Sequence, residues 1–387
     1  MAGAIRIDLH GGFGEKGRTS IGIEGGGSAI LLDVGIKVGA RGGDYYPVID
    51  DAAIARLDAV FVSHAHEDHI GGLAWLLSRG FKGRIFMTAE TRSEAPAMLD
   101  QYGASTDVQR FPIGALNVEL FAPGDRIDVG GLRVNTGRSG HVAGGVWFAA
   151  SDGQKSVTYT ADVVPESPVF AMDAIPWSDL LVLDASYGDD AISGAERSRA
   201  LQAWIGAHPH GCLLPVPLSG KPLELMAILP DRFAIHAAMR QPIAMQIAAK
   251  HAFRTGMSEM LAQRLAGALD WFESDALPDC PLLTFDGMGS AGPSMEAISR
   301  AADQNHPILL TGHIPPNTPA SALLGGGRAA WIRLPTHPTR QGNVDIWEQA
   351  GRPATLGHSC SLQDLQALKA HLPTLNDRVR TGQHIIV

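Results

Sequence analysis

The segment Ser63–Gly72, SHAHEDHIGG, constrains the fold more than any other part of the sequence. It follows an apolar run that predicts a strand, precedes a leucine-rich run that predicts a helix, and contains His64, His66, Asp68 and His69. Histidines two apart can point the same way and hold one cation, while the carboxylate and imidazole at the helix entrance can face a second. Imidazole and carboxylate ligands suit zinc, with manganese or iron as alternatives. A polar loop with accidental histidines is the other interpretation, and the strand–motif–helix context argues against it.

Composition excludes several classes of protein. The chain has 387 residues, of which 45% are hydrophobic and 18% charged, which is typical of a globular protein rather than a disordered one. Lys plus Arg number 31 and Asp plus Glu number 40, so the net charge is −9. This balance excludes a globally basic nucleic-acid coat but allows a local basic groove.

Cysteines and apolar runs bear on the compartment. Cys212, Cys280 and Cys360 lie far apart without a CxxC pair, so neither a disulfide framework nor a cysteine zinc site is expected. The first ten residues carry polar groups every few positions, unlike a signal peptide, and no apolar run is long enough to span a membrane. We therefore expect a soluble, cytoplasmic protein without a membrane partner.

The pattern of elements changes after Asp184. Before it, short apolar runs with glycine turns predict mostly strands, such as Ser28–Leu32, and few helices. After it, strands alternate with helices of about ten residues, which predicts βαβ units around a parallel sheet. The Pro- and Gly-rich stretch 335–353 is the predicted linker.

The HxHxDH motif resembles that of the metallo-β-lactamase superfamily, and three further positions match in the expected order. They are Asp33 in LLDVG, His141 in RSGHVAGG and Asp162 in YTAD. Taken singly, each could be a strand-end turn residue or a surface histidine, but their order and placement favour the superfamily. The resemblance implies an α/β fold, the metallo-β-lactamase αββα sandwich, with two divalent metals, zinc first and manganese as the alternative. It implies one metal on His64, His66 and His141, the other on Asp68 and His69, Asp162 as the bridge, and Asp33 supporting the loop.

Later segments resemble the β-CASP branch of that superfamily, and ribonuclease J within it. They are His10–Gly17, Leu181–Gly188, Leu214–Leu225, Leu310–Ala320 and Thr355–Leu365. This resemblance implies a first metallo-β-lactamase part at 1–188, a β-CASP-like inserted α/β domain at 189–344, and a return to the first domain at 345–387.

The same resemblance implies further site residues. Asp184 and His358 are candidates for a hydrogen-bonded pair in which His358 protonates the leaving oxygen, with Asp68 as a third catalytic residue. Candidate phosphate contacts are Ser219, Lys221, Thr311, Gly312 and His313, because glycine turns and helix starts present free amides. Helix caps have the same sequence pattern, so a purely structural role is the alternative.

The closing motif departs from the family. The family ends with a strand and HGE, whose histidine binds the second metal, whereas this chain has Thr381 at that position. His384 lies three residues further on and is the candidate substitute. The second metal site is therefore uncertain from the sequence.

The predicted function is a metal-dependent phosphodiesterase of ribonuclease or exonuclease type, cleaving single-stranded RNA or DNA with a metal-activated hydroxide. One alternative is a small-molecule metallo-hydrolase of the same fold, a lactonase or thioesterase. A second is a nucleic-acid-binding protein that lacks the second metal. RNA versus DNA, cleavage from an end or internally, and a homodimer are left open.

Overall fold

The computed structural model describes residues 4–387, which divide into two compact units. Unit 1 contains residues 4–165, Met172–Ala191 and His337–Val387. Unit 2 contains Glu166–Ala171 and Ile192–Thr336. The chain therefore leaves unit 1, builds unit 2 and returns.

The first part of unit 1 contains eleven strands and five helices. The strands are β1 Arg6–Gly11, β2 Ser20–Gly25, β3 Ser28–Leu32, β4 Ala59–Phe61, β5 Arg84–Thr88, β6 Val118–Phe121, β7 Arg126–Val129, β8 Leu132–Arg138, β9 Val146–Ser151, β10 Ser156–Tyr159 and β11 Leu180–Asp184. The helices are α1 Asp51–Arg56, α2 Glu67–Ile70, α3 Leu73–Ser78, α4 Ala89–Tyr102 and α5 Ser105–Arg110, with 3-10 turns at Gly42–Asp44 and Ile113–Ala115.

Unit 2 contains six strands and six helices. The strands are β12 Cys212–Pro215, β13 Ala234–His236, β14 Leu269–Trp271, β15 Pro281–Thr284, β16 Leu309–Leu310 and β17 Ala330–Trp331. The helices are α6 Gly194–Gly206, α7 Lys221–Ile228, α8 Arg240–Ala248, α9 Met257–Gly267, α10 Ser294–Asp303 and α11 Pro319–Gly325, with 3-10 turns at Ala237–Met239 and Lys250–Ala252. A four-stranded sheet of order β12-β15-β13-β14 is parallel throughout, as the alternating pattern predicts.

The last part of the chain completes both sheets of unit 1. It contains α12 Arg340–Gln349, β18 Ala354–His358, α13 Leu362–Lys369, β19 Leu375–Asn376 and β20 His384–Ile386. One sheet has the order β20-β1-β2-β3-β4-β5-β6, and the other has the order β19-β18-β11-β10-β9-β8-β7.

Alternation along the strands builds the layers of unit 1. Ile30 and Phe61 contribute to the core between the two sheets, where Phe61 stacks on Phe86 and meets Phe148 of the second sheet edge-on. Their strand neighbours Leu31 and Val60 turn to the other face and pack with Leu73 and Leu76 of α3. The outer face of the second sheet packs in the same way on α12 and α13 through residues such as Leu181, Trp347 and Leu365. The predicted αββα sandwich is therefore confirmed.

The predicted linker 335–353 is wrong, because most of it is helix. Thr339 caps α12 by accepting a hydrogen bond from the backbone N–H of Gly342, and Ile346 and Trp347 of that helix are buried. The prolines lie outside this helix, Gly342 lies in its first turn, and Gly351 follows its end, so these residues bound a helix and do not mark a linker. The second compact unit accordingly ends at Thr336, whereas the sequence predicted an insert ending at 344. None of the helices in residues 4–387 has the length and apolar character that crossing a membrane requires.

Candidate metal centre

The candidate metal ligands lie at the ends of strands in unit 1. His64 and His66 follow β4 and precede α2, and His141 follows β8. Asp162 lies three residues after the end of β10, and Asp184 is the last residue of β11. Side chains from the two sheets meet because the strand ends lie side by side, the usual place for a site in sheets of this kind.

Three imidazoles and one carboxylate form the first ligand group. His66 Nδ1 lies 3.1 Å from His64 Nε2 and 3.2 Å from His141 Nε2. Asp162 Oδ2 lies 3.8 Å from His64 Nε2 and 3.6 Å from His141 Nε2. Zinc–nitrogen bonds of about 2.0–2.1 Å in a tetrahedron give ligand separations of about 3.3 Å, and the four observed distances lie on either side of this value. The group therefore has the dimensions of a tetrahedral cation site.

Burial sets the protonation states that these ligands need. It lowers the pKa of both His64 and His66 well below the ordinary value, and it lowers the pKa of His141 to about 4. All three imidazoles are therefore neutral near pH 7 and keep a lone pair for a cation. Burial alone would raise the pKa of Asp162, but the imidazoles of His69 and His337 outweigh it and hold that pKa well below its usual range.

The other carboxylate oxygen of Asp162, Oδ1, belongs to a second group of candidate ligand atoms. Asp162 Oδ1 lies 3.2 Å from His69 Nε2, which lies 3.8 Å from Asp68 Oδ2. Asp162 Oδ1 and His69 Nε2 are buried, and within residues 4–387 neither has a hydrogen-bond partner. The two atoms lie within ion-pair distance of each other, and a donor set of imidazole and carboxylate also suits a divalent metal.

Asp33 holds the metal-binding loop. Its carboxylate accepts hydrogen bonds from the backbone N–H and hydroxyl of Ser63 and from the hydroxyl of Tyr159, and it pairs with His69 Nδ1, all at 2.7 Å. The contact with Nδ1 leaves Nε2 of His69 directed at Asp162, so Asp33 sets the orientation of that imidazole. Close packing also requires Gly35, where a Cβ would lie 1.7 Å from the carbonyl oxygen of Asp68.

His337 lies at the centre of a third contact that the sequence did not predict. Its Nδ1 is 2.8 Å from Asp184 Oδ2 and 3.7 Å from Asp162 Oδ2, and its ring centroid is 5.3 Å from that of His141. The ligand atoms of Asp162, Asp184 and His337 all lie within 4.8 Å of one another. His337 is thus part of the same centre as the HxHxDH motif.

The sequence predicted that Asp184 would hydrogen-bond His358, and the structure places His337 there instead. His358 is opposite Asp184 in the parallel register of β11 and β18, but its Nδ1 contacts Ser359 Oγ at 3.0 Å. Its ring packs against Tyr159, and it is fully buried. The carboxylate of Asp184 also accepts the backbone N–H of Val163 and of Ser186, which fixes its direction.

Neither candidate for the closing ligand contacts the metal centre. Thr381 donates its hydroxyl proton to Glu15 Oε1 at 2.7 Å, and its backbone N–H donates to Phe13. His384 is exposed on β20, opposite Asp8 of β1 in the antiparallel register. The contacts of Thr381 and His384 are therefore structural, and neither residue joins the ligand groups described above.

The predicted phosphate contacts all lie in unit 2. Lys221 begins α7, and its Nζ lies 3.4 Å from the carbonyl oxygen of Thr311. Gly312 follows Thr311, and His313 is exposed on the same loop. The carbonyl oxygen of Ser219 accepts the backbone N–H of Lys221. Ser219, Thr311 and Gly312 therefore lie next to Lys221, with His313 further along the loop.

Sequence reasoning missed His337 because it stands alone between prolines, in Pro335–Pro338. The one available signal is the helix start that follows: Thr339 is a good N-cap residue, and apolar residues at helical spacing come after it. A histidine just before a helix repeats the placement of His64 and His66 before α2, and that parallel could have selected it.

Comparison with known proteins agrees with this geometry. The family model described as metallo-beta-lactamase superfamily matches residues 14–205. This range contains the HxHxDH motif, His141, Asp162 and Asp184. The chain therefore contains a domain of the metallo-β-lactamase superfamily.

Three relatives extend the likeness beyond this domain. Cleavage and polyadenylation specificity factor 73 of Drosophila melanogaster is 27% identical over 83% of this chain and 52% of its own length. Endoribonuclease YSH1 of Yarrowia lipolytica is 25% identical over 81% of this chain and 43% of its own. Transcription termination factor FttA of Cenarchaeum symbiosum is 24% identical over 95% of this chain and 62% of its own. The chain spans about half the length of the curated relatives it matches.

A solved structure of similar size shows the same fold. It is a protein of unknown function from Enterococcus faecalis V583, matched with a TM-score of 0.62 over 99% of this chain and 100% of the other. The sequence identity is 14%, so the match shows the fold alone.

Proposed function

We propose that this protein is a metal-dependent phosphodiesterase that hydrolyses single-stranded nucleic acid, with RNA as the first substrate to test. The observation that carries the proposal is the ligand group His64, His66, His141 and Asp162, whose fourth member also faces His69 with its second oxygen. A relative named endoribonuclease and a relative named cleavage and polyadenylation specificity factor 73 support RNA. We also infer that unit 2 is the β-CASP-like inserted domain implied by the sequence resemblance.

The bound metal supplies one part of the chemistry. Two divalent cations would lower the pKa of a coordinated water and offset charge on the phosphate, with zinc as the first candidate and manganese as the second. His64, His66, His141 and Asp162 fit one cation, and Asp68, His69 and Asp162 fit the other.

The remaining chemistry belongs to the protein's own side chains. Asp33 holds His69 through Nδ1, and Asp162 stays ionised between the two groups. We propose His337 as the imidazole that donates a proton from Nε2 to the leaving oxygen, with Asp184 holding its Nδ1. His337 is 20% exposed and can reach a substrate, whereas His358 is fully buried.

The cellular setting is proposed from the same features. All three cysteines are buried and free, which fits a reducing compartment, and we propose the cytoplasm. A homodimer stays a prediction, as does the closer likeness to ribonuclease J.

The deciding experiment is a metal-supplemented digest of matched end-labelled RNA and DNA strands with wild-type protein and the variant His66→Ala. We expect cleavage by the wild type, loss of cleavage in the variant and an unchanged circular dichroism spectrum. Variant Arg126→Ala is the matched control, because Arg126 is exposed and pairs with Asp128, which is not one of the metal ligands. Equal cleavage by wild type and His66→Ala would refute the site, and hydrolysis of a lactone or thioester without strand cleavage would favour the small-molecule alternative.

A further inference from the structure

Unit 2 contains a buried lysine without a counter-charge. Lys221 is 8% exposed at the first position of α7, and its ammonium donates only to the carbonyl oxygen of Thr311, at 3.4 Å. Within residues 4–387 it forms no ion pair with a carboxylate. The residue before it, Gly220, caps the helix without a side chain. A buried cation is normally paired, so an unpaired one at a helix start indicates a place for an anion.

The guanidinium of Arg333 acts electrostatically on Lys221. Burial lowers the pKa of Lys221 to about 8, and Arg333 lowers it further by repulsion. The lysine is therefore still largely protonated at neutral pH. Burying the charge of Lys221 is costly to the fold, and an anion beside it would offset that cost.

An exposed aromatic ring lies close to Lys221 and Arg333 in unit 2. Trp331 on β17 is 39% exposed, and its indole N–H donates to the carbonyl oxygen of Gly312 at 2.9 Å. The guanidinium of Arg333 lies 5.2 Å from the ring centroid. Gly312 also borders the lysine, since a Cβ there would lie 2.7 Å from Lys221 Nζ. Arg333 contacts Trp331, Trp331 contacts Gly312, and Gly312 borders Lys221, and we name these four residues the Trp331 patch.

We propose that the Trp331 patch, formed by Trp331, Arg333, Gly312 and Lys221, binds one nucleotide of a single nucleic-acid strand. In this arrangement Lys221 and Arg333 hold a backbone phosphate, and the open face of Trp331 stacks on the adjacent base. Aromatic rings beside cations are the usual means of holding single strands without sequence preference. The inference rests on the proposed function, because it names where that substrate is held in unit 2.

Binding of a labelled RNA strand tests the patch without requiring cleavage. The strand carries phosphorothioate links that slow hydrolysis, and fluorescence anisotropy gives its dissociation constant at several salt concentrations. The variants are Lys221→Met and Trp331→Ala in the full chain, loaded with metal. Trp177→Ala is the matched control, since Trp177 is 65% exposed and belongs to unit 1.

The two variants have different expected signatures. Lys221→Met should weaken binding and reduce the slope of log Kd against log salt by about 0.7, the value for one phosphate contact on a single strand. Trp331→Ala should weaken binding about 5-fold or more at every salt concentration with the slope unchanged, as loss of one stacked base does. Trp177→Ala should leave both quantities unchanged.

Thermal melting separates a binding role from a structural one. Lys221→Met removes a buried charge that the fold does not pair, so its Tm should equal or exceed that of the wild type. A lower Tm with unchanged affinity would overturn the proposal, as would Trp331→Ala binding within twofold of wild type. Displacement of the strand by inorganic phosphate, with no effect of Trp331→Ala, would show a phosphate site without a base and overturn it too. If the patch variants weaken binding while no strand is cleaved, the patch stands and the proposed hydrolysis fails.

Discussion

Substitution of Asp33 by Asn tests how far the metal centre depends on a residue that is not itself a ligand. The carboxylate is fully buried, and four donors lie 2.7 Å from its oxygens: two from Ser63, one from His69 and one from Tyr159. Asparagine keeps the size but replaces one acceptor oxygen with an NH₂ group. At least one donor then faces another donor, and His69 Nδ1 loses the negative partner that holds it.

The expected loss is in metal affinity. Removal of a buried partner behind a metal-binding histidine typically costs about 10- to 100-fold in affinity, or about 1.4–2.7 kcal/mol. Because Asp33 contacts His69 but none of His64, His66 or His141, the weaker of two zinc equivalents should show the larger change. Leaving a buried hydroxyl or N–H unsatisfied costs a further 1–3 kcal/mol or so of folding stability, which should lower Tm as well.

Competition with a chromogenic zinc chelator measures both affinities, and elemental analysis gives the stoichiometry. Asp128→Asn is the control, since Asp128 is 56% exposed and pairs only with surface arginines. If Asp33→Asn bound both zinc equivalents within twofold of the wild type, the assignment of Asp33 as the support of His69 would be refuted.

Two further predictions concern single side chains. His337→Ala should lower kcat on a nucleic-acid strand about 10²-fold or more with little change in KM, whereas a loss seen only in His358→Ala would return the proton-donor role to His358. Burial raises the pKa of Glu224 to about 7, against the hydrogen bond from Ser167 and the charge of Arg254. The folded state thus holds a proton that the unfolded chain, with an ordinary value near 4.5, releases, so stability falls by about 3 kcal/mol as pH rises from 4.5 to 7. Glu224→Gln should flatten that part of the pH dependence measured by urea unfolding, and an unchanged pH profile would contradict the raised pKa.

The local sequence was enough to predict a strand or a ligand where the role of a residue follows from its neighbours in the chain. Ser28–Leu32 is a strand with the predicted bounds, because its β-forming residues end at Asp33 and the glycine turn beyond. The HxHxDH segment is likewise self-contained: its ligands come from one turn, and the strand and helix on either side are both apolar. The placement of His141 and Asp162 beside it needed the family resemblance, because nothing within each short segment joins them.

Two predictions were wrong, the partner of Asp184 and the linker at 335–353, and the first depends on contacts between residues far apart in the chain. The fold brings two histidines, His337 and His358, close to Asp184. The sequence offered no means of choosing His337, because only His358 lies in a segment that resembles a family motif. The choice depends on where α12 begins and on the amides that orient the carboxylate. Helix α12 itself was missed because prolines and glycines at its two ends outweighed the buried Ile346 and Trp347 between them.

The pairing of the chain's two ends has a consequence for synthesis on the ribosome. β20 joins the first sheet beside β1, and β18 joins the second beside β11, so β1 and β11 gain these partners only after unit 2 has been synthesised. His337 also comes after the whole of unit 2. A nascent chain that ends before residue 337 has His64, His66, His141 and Asp162 but lacks His337 and one edge of each sheet. Such a chain lacks His337, so under the proposed function it would stay inactive until synthesis has passed residue 337.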